Sequence, residues 1–440
     1  MNQTEEKSDY FGEEKIGKIL LKLTPPVMLA QLIQSLYNIV DSFFVGKYSD
    51  DALTALTVIY PLQLIIIAFA VGTGVGVNTY MARKYARGKI DKANKTAGTG
   101  MFLSLITWAF FAVVALIIMR PYVMTSAKSP QAVEYAVIYG NIVCVGSIGM
   151  FLEGNWTKVC QSIGNMRLPM IAQIVGAVIN IIFDPILIFG MGPFPEMGVA
   201  GAAIATVLGQ IAAAVITGTK GIRKIPPLGE IKHYVKKIYF YGYSSIAMQA
   251  LYTVYIVGLN MVLAQFSDSA VTVLGLYYKL QSFFFIPLFG LETCIVPILS
   301  YNYAAKSYDR CKTVMNDTLI ISAVFMLFGV VFFVFFPEMI IRIFSSGSEI
   351  LSIGKIAFPI IGSSFIPAAV SLNMPVYFQA IGNGRTSLLL SLTRQIFCLL
   401  FLFWLFSFIG LNFTWAAFPI SETVSGGIGL YLYYKQLKSL

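Results

Sequence analysis

The chain has 440 residues, 57% of them hydrophobic and only 12% charged, with a mean hydropathy of +0.75. Soluble domains average about 25% charged residues, so this composition excludes a water-facing surface over most of the molecule and calls for a bilayer. The net charge of +10 does not mark a nucleic-acid partner either, because it is spread along the chain as a topology signal and not gathered on one face.

Residues 1–23 mix Glu5, Glu6, Glu13 and Glu14 with Lys7, Lys15 and Lys18, and lack an apolar core ahead of a small-residue cleavage site. They read as a cytoplasmic tail, not a signal peptide. Apolar runs then follow at 24–47, 54–82, 93–119, 131–156, 166–190, 199–221, 236–265, 270–301, 313–342, 352–380, 386–409 and 413–435. Each suits the roughly 17–25 residues or slightly more that a spanning helix needs. Their length and Leu/Ile/Phe/Gly content exclude the ten-residue alternation of an outer-membrane barrel. The expected fold is therefore an all-α polytopic membrane protein of twelve transmembrane helices.

Basic residues alternate from one connection to the next. Arg83, Lys84, Arg87, Lys89, Lys92 and Lys95 lie between spans 2 and 3. Lys220, Arg223, Lys224, Lys232, Lys236 and Lys237 lie between spans 6 and 7. Lys306, Arg310 and Lys312 follow span 8, and Lys435 and Lys438 follow span 12. The intervening connections carry Lys47 beside Asp50 and Asp51, Arg120 and Lys128, Asp268, and Arg342. Excess Lys/Arg marks the cytoplasmic side, which predicts that both termini lie inside a prokaryotic plasma (inner) membrane.

The chain is also written twice. A shift of 218 residues carries Ala52, Thr54, Leu56, Tyr60, Leu62 and Gln63 onto Ala270, Thr272, Leu274, Tyr278, Leu280 and Gln281. The same shift carries Gln161, Ile163, Gly164, Asn165 and Arg167 onto Gln379, Ile381, Gly382, Asn383 and Arg385. Near the start, Gln34-Ser35-Leu36-Tyr37 matches Gln249-Ala250-Leu251-Tyr252 at a slightly different offset. The expected organisation is a first bundle at 24–221, a linker at 222–235 containing Pro226-Pro227, a second bundle at 236–435, and a short tail at 436–440. Six spans per half make the halves parallel, an arrangement that builds secondary transporters with a site at the repeat interface.

The repeat is broken where chemistry has been added. Asp41 on span 1 and Asp184 on span 5 have apolar counterparts, Ile256 and Leu402. An ionisable group inside a membrane costs roughly 2.5–3.5 kcal/mol on insertion scales and is a functional hypothesis by default. Both aspartates fall about 9 Å from the outer helix end at 1.5 Å per residue. Tyr37 and Asn180 sit one turn before them on the same faces, and Tyr139 on span 4 reaches a similar depth. Two carboxylates together in low dielectric resist ionising simultaneously, so the pair can hold a proton or a sodium ion. The blander reading is that they pin helices near the headgroups.

In the second half, Lys279, Glu292 and Arg394 are intramembrane charges. Glu292 and Arg394 fall towards the inner leaflet and can pair; alternatively Glu292 lines a cavity for cationic substrates. Gly72-Thr73-Gly74-Val75-Gly76 lacks the Gly-Lys-Ser/Thr of a phosphate loop and reads as close helix packing. The single histidine, His233, lies in the linker, and the five cysteines have no pairing motif. No nucleophile–base pair, metal cluster or cofactor motif is present, so an enzyme is not expected.

The stretch Pro25-Pro26, Leu-Tyr-Asn-Ile-Val-Asp (36–41) and Phe-Val-Gly (44–46) resembles helix 1 of the multidrug and toxic compound extrusion (MATE) family. Asn180-Ile-Ile-Phe-Asp184-Pro185, Gly-Val-Ala-Gly-Ala-Ala (198–203) and Ala-Ile-Gly-Asn-Gly-Arg (380–385) extend the resemblance, which is nearest the bacterial and archaeal drug-exporting and DNA-damage-inducible branch. It implies a V-shaped pair of pseudo-symmetric six-helix lobes that alternates between outward- and inward-open states and exchanges drugs or toxins, mostly organic cations, for protons or sodium. It also implies that Asp41 and Asp184 carry the coupling ion, with Tyr37, Tyr139 and Asn180 as partners and Thr206 as the nearest candidate for a helix-6 threonine. Sodium, if it is the ion, would sit at Asp41, Asn180 and Asp184. Pro26 matches a proline that bends helix 1. Gln34, Gln249, Met28, Met248 and Glu292 are the candidate cavity residues. No cofactor and no nucleic acid is expected, and a monomer in the lipid bilayer is. A lipid-linked oligosaccharide flippase of the same superfamily is the rival reading.

Overall fold

The computed structural model describes residues 10–126, 129–344 and 347–438; Glu5, Glu6, Lys7 and Lys128 lie outside the described residues. Helices account for nearly all of it. They are α1 (Ile16–Tyr48), α2 (Asp50–Tyr85), α3 (Ile90–Ser126), α4 (Pro130–Gly146 continuing as Ile148–Ser162), α5 (Arg167–Phe189) and α6 (Val199–Gly221). The second set is α7 (Leu228–Leu263), α8 (Asp268–Phe284 and Ile286–Ala304), α9 (Tyr308–Phe335), α10 (Ser348–Gly362 and Phe365–Ala380), α11 (Gly384–Ser407) and α12 (Ala417–Lys438). Eight of these helices, and the three bent pairs α4, α8 and α10, are long and apolar enough to span a membrane. The remaining one, α12, has 22 residues and is about 33 Å long; it carries Glu422 and is less apolar than the rest.

The outward faces confirm a lipid-facing surface and repeat the internal register. On α3, Ile106, Phe110, Val113 and Ile117 are all exposed, the i, i+4, i+7, i+11 stripe of one helix face. Their counterparts on α9, Val324, Phe328, Val331 and Phe335, are exposed too. In water such stripes would be aggregation surfaces; in lipid they need no cover.

The repeated Ile-Gly-Asn-x-Arg loop has a backbone explanation. Gly164 and Gly382 adopt φ +76° and +88°, the left-handed region where an L side chain is strained. This ends α4 and α10, with Asn165 N–H donating to Cys160 O at 3.0 Å and Asn383 N–H to Phe378 O at 2.8 Å. The asparagine side chain then starts the next helix, its Oδ1 accepting from Leu168 N–H at 3.2 Å in one copy and from Thr386 N–H at 3.3 Å in the other. One loop thus satisfies the orphan groups of two helix ends, as a membrane demands.

Two of the three bends precede a proline. In α8 the 55° bend at Phe285 precedes Pro287, and in α10 the 54° bend at Ser363–Ser364 precedes Pro367. A proline removes a donor and its ring clashes with the carbonyl four residues back. The α10 hydroxyls turn inward to compensate, Ser363 Oγ donating to Ile360 O and Ser364 Oγ to Ile361 O, both at 2.6 Å. In α4 the 41° bend falls at Gly146–Ser147, where Ser147 Oγ donates to Cys144 O at 2.7 Å.

Two compact units emerge. One comprises Pro25–Ile246 with the chain up to Glu13, the other Ala247–Leu440 with Glu14–Thr24. The chain changes unit at the Pro25–Pro26 pair inside α1 and again in the middle of α7. The first unit is packed around Ala55, Ile59, Met119, Tyr139 and Ala203. The second centres on an aromatic knot in which Phe333 stacks on Phe358 and Phe365 meets Phe285 edge-on, ring centroids 5.0 Å apart in both pairs.

Replacing Gly382 with Ala should lower the thermal midpoint of the detergent-purified protein, at a cost of about 1–2 kcal/mol for a left-handed L residue. Gly229→Ala, at a site with no neighbouring atom within 4 Å, should leave the midpoint unchanged.

Candidate functional site

The site begins with two glycines. A Cβ on Gly209 of α6 would stand 2.5 Å from Gly176 O of α5, and one on Gly176 would stand 2.7 Å from Gly209 O. Only backbones without side chains approach so closely. Asn180 lies one turn beyond Gly176, and Thr206 one turn before Gly209, so the glycine contact presses these two side chains together. Asn180 Nδ2 donates to Asp184 Oδ1 at 3.2 Å and lies 3.4 Å from Thr206 Oγ1. The Tyr139 hydroxyl on α4 is hydrogen-bonded to Thr206 and to Gln63 of α2. Asp41 on α1 interacts electrostatically with Asp184, Tyr37 and Tyr139. Asp41, Asp184, Asn180, Tyr139 and Thr206 are all buried and Tyr37 is half-buried. Five helices therefore supply one polar cluster in an otherwise apolar unit.

The cluster is under-satisfied. Asp184 is completely buried, and Asp41 Oδ1, Asn180 Oδ1 and Asp184 Oδ2 have no hydrogen-bond partner. None of the ion pairs among the described residues includes either aspartate. Buried polar atoms are nearly always paired, and an uncompensated buried carboxylate is among the costliest of groups. Three lone-pair-bearing oxygens without donors have the chemistry to accept a proton or a small hard cation. Gln63 is absent from the sequence-derived candidates. Its signal was in the repeat, because a carboxamide within an apolar helix is retained at Gln63 and Gln281.

The MatE family matches residues 26–186 and, 218 residues later, residues 244–404. The chain belongs to the MatE family. It is 25% identical over 427 residues to a protein of Shewanella oneidensis named FAD transporter, covering 95% of this chain and 94% of that one. It is 25% identical over 442 residues to multidrug export protein MepA of Staphylococcus haemolyticus, covering 98% and 96%. The fold is that of a MOP superfamily transporter from Pyrococcus furiosus, with a TM-score of 0.91, 21% identity and coverage of 100% and 99%. This MatE-family chain is a multi-pass membrane transporter and not an enzyme.

The second half of the MatE repeat holds different chemistry at a related place. Arg394 takes Glu422 of α12 as its partner, not Glu292: Arg394 Nε donates to Glu422 Oε1 at 3.0 Å and Oε2 at 2.9 Å. Ser371 of α10 donates to the same carboxylate. The pairing follows from helix order, since α11 packs on α12 as α5 packs on α6. Around Arg394, residues Thr393–Leu400 form a π-helix, and Ser421 Oγ donates to Arg394 O at 2.6 Å. Glu292 stays within the field of Arg394 but its Oε1 has no hydrogen-bond partner.

The candidate cavity residues fall in both units. Met28 is half-buried and Gln34 exposed on α1, Gln249 is exposed on α7, and Met248 meets the Ser387 hydroxyl at 3.4 Å. Lys279 is exposed, and Pro26 lies inside α1 beside Pro25.

Removing one partner of a buried ion pair costs about 3–5 kcal/mol, whereas replacing both with apolar groups is often neutral. Arg394→Met should thus depress the thermal midpoint strongly, and Arg394→Met with Glu422→Leu should recover most of the loss.

Proposed function

We propose that this MatE-family transporter is an antiporter that exports small organic compounds, mostly cationic and amphiphilic, in exchange for protons by alternating access. It acts as a monomer in a prokaryotic inner membrane, with both termini cytoplasmic. The observation that carries the reading is the pair of buried carboxylates Asp41 and Asp184, which have oxygens without donors and no basic partner among the described residues. The multidrug exporter among the relatives supports the substrate class.

Protons arriving from outside bind Asp41 and Asp184 and supply the missing donors. A neutral Asp41 no longer needs water or a counter-charge, so α1 can repack. The Pro25–Pro26 pair, which lacks two helical N–H donors, makes bending of α1 inexpensive. Drug leaves as α1 repacks; opening to the cytoplasm returns the protons and admits the next substrate. Only a drug that binds the deprotonated state better can be driven by this cycle. The carboxamide and carboxylate oxygens at Asp41, Asn180 and Asp184 also suit sodium, which makes sodium the ion to test against the proton.

The test is transport by the purified protein in liposomes under an imposed pH gradient, following ethidium, with and without sodium. The FAD transporter among the relatives makes that anionic dinucleotide the substrate to run in parallel. Asp41→Asn and Asp184→Asn should each reduce proton-driven ethidium movement at least about tenfold. Ethidium affinity of the wild type should fall as pH drops, while that of Asp41→Asn stays at the low-pH value throughout, because asparagine mimics the protonated acid. Movement driven only by sodium changes the ion. Variants that match wild type would sink the coupling site and leave the flippase reading to be tested.

A further inference from the structure

We propose that the basic ends of α2, α3 and α7 form a binding site for the phosphate headgroup of an anionic phospholipid. All the residues involved lie in the first compact unit. Helices α2 and α7 are locked backbone to backbone there. A Cβ on Gly242 would stand 2.5 Å from Gly72 O, and one on Gly76 would strike Ile238 O. Beside this contact Tyr80 and Tyr241 stack with centroids 5.8 Å apart and planes at 23°. Arg83 lies over the Tyr241 ring at 4.9 Å and Lys84 over the Tyr80 ring at 4.7 Å. The two aromatic faces thereby hold two cations in place.

Further cations converge on the same point. Lys84 and Tyr80 each interact electrostatically with Arg87 of the α2–α3 loop, Lys92 of α3 and Lys237 of α7. The nearby carboxylates are committed elsewhere: Asp91 and Glu230 both bind Lys95, at 3.2 and 3.0 Å. Among the described residues no ion pair includes Lys84, Arg87, Lys92 or Lys237. Topology requires positive charge at these helix ends, but it does not require four like charges from three helices and a loop to meet beside a stacked tyrosine pair. Such convergence is repulsive unless an anion occupies its centre.

The surroundings select a lipid as the anion. Arg87, Lys92 and Lys237 are exposed, Lys84 is half-buried at the end of an apolar span, and Phe240, three residues from Lys237, is exposed. A phosphate that carries acyl chains can satisfy the cations and cover that apolar flank together. Clustered basic residues at the end of a span attract anionic headgroups by the same physics.

The experiment is native mass spectrometry of the full chain released from detergent, titrated with phosphatidylglycerol, phosphatidylcholine or inorganic phosphate. Phosphatidylglycerol should be retained at least tenfold better than phosphatidylcholine. Retention should drop at least tenfold in Lys84→Gln/Arg87→Gln/Lys237→Gln, yet remain in a control with equal charge loss, Lys312→Gln/Lys435→Gln/Lys438→Gln. The milder Arg87→Gln/Lys237→Gln, which touches only exposed side chains, should lose an intermediate share and covers the case in which the triple variant misfolds. Equal loss in the control, unchanged retention in both patch variants, or displacement of the lipid by millimolar phosphate would each overturn the proposal, the last by making a free anion the occupant.

Discussion

A polar backbone group in hydrocarbon has no water to turn to, so each segment must satisfy its own hydrogen bonds. That requirement is visible at every irregular point of this protein. Helices end on a glycine that folds back and an asparagine that caps the next helix. Where α4 and α10 bend, serine hydroxyls turn into their own helices, and where α11 loosens into a π-helix, Ser421 of α12 takes the Arg394 carbonyl. Other buried side-chain atoms among the described residues also lack a partner, both of Asn155's among them. What marks the Asp41, Asn180 and Asp184 oxygens is that they bring two carboxylates into one cluster.

The two halves share a scaffold and diverge in what they place on it. At the α5–α6 contact, glycines bring Asn180 to Thr206 and leave acids without a base. At the α11–α12 contact, Arg394 and Glu422 neutralise one another and Ser371 completes the carboxylate. The two contacts thus differ in charge, and the charged positions are not the same ones: under the 218-residue shift Arg394 and Glu422 stand where Gly176 and Ile204 stand in the first half.

Much of this was legible before any coordinates. Length and hydropathy located the spans, since a bilayer leaves few alternatives, and the 218-residue shift exposed the duplication because loop chemistry is less degenerate than apolar packing. Helix ends were less legible. Helix α1 begins at Ile16 and not at residue 24, because a helix keeps its hydrogen bonds beyond the hydrocarbon edge where hydropathy has already dropped. Asp41 and Asp184 announced themselves as charges in apolar runs. Glu422 did not, because α12 is the least apolar of the spanning elements and its acid looked unexceptional there, so Arg394 was offered Glu292 as its partner. Gln63 carries no charge to mark it in an apolar run and shows only as a repeat match with Gln281, although its carboxamide reaches the Tyr139 hydroxyl.

The bends are shared unequally between the halves. Under the 218-residue shift the break in α4 falls within a residue of the break in α10, yet the residues beside them differ: Gly149 in one half stands where Pro367 stands in the other. The α8 break has no such twin, for Pro287 corresponds to Phe69 in the unbroken α2. The α4/α10 bend is therefore common to the two halves although different side chains stand at it, whereas the α8 bend belongs to one half alone. In the shared case the shape is the same while the sequence beneath it differs.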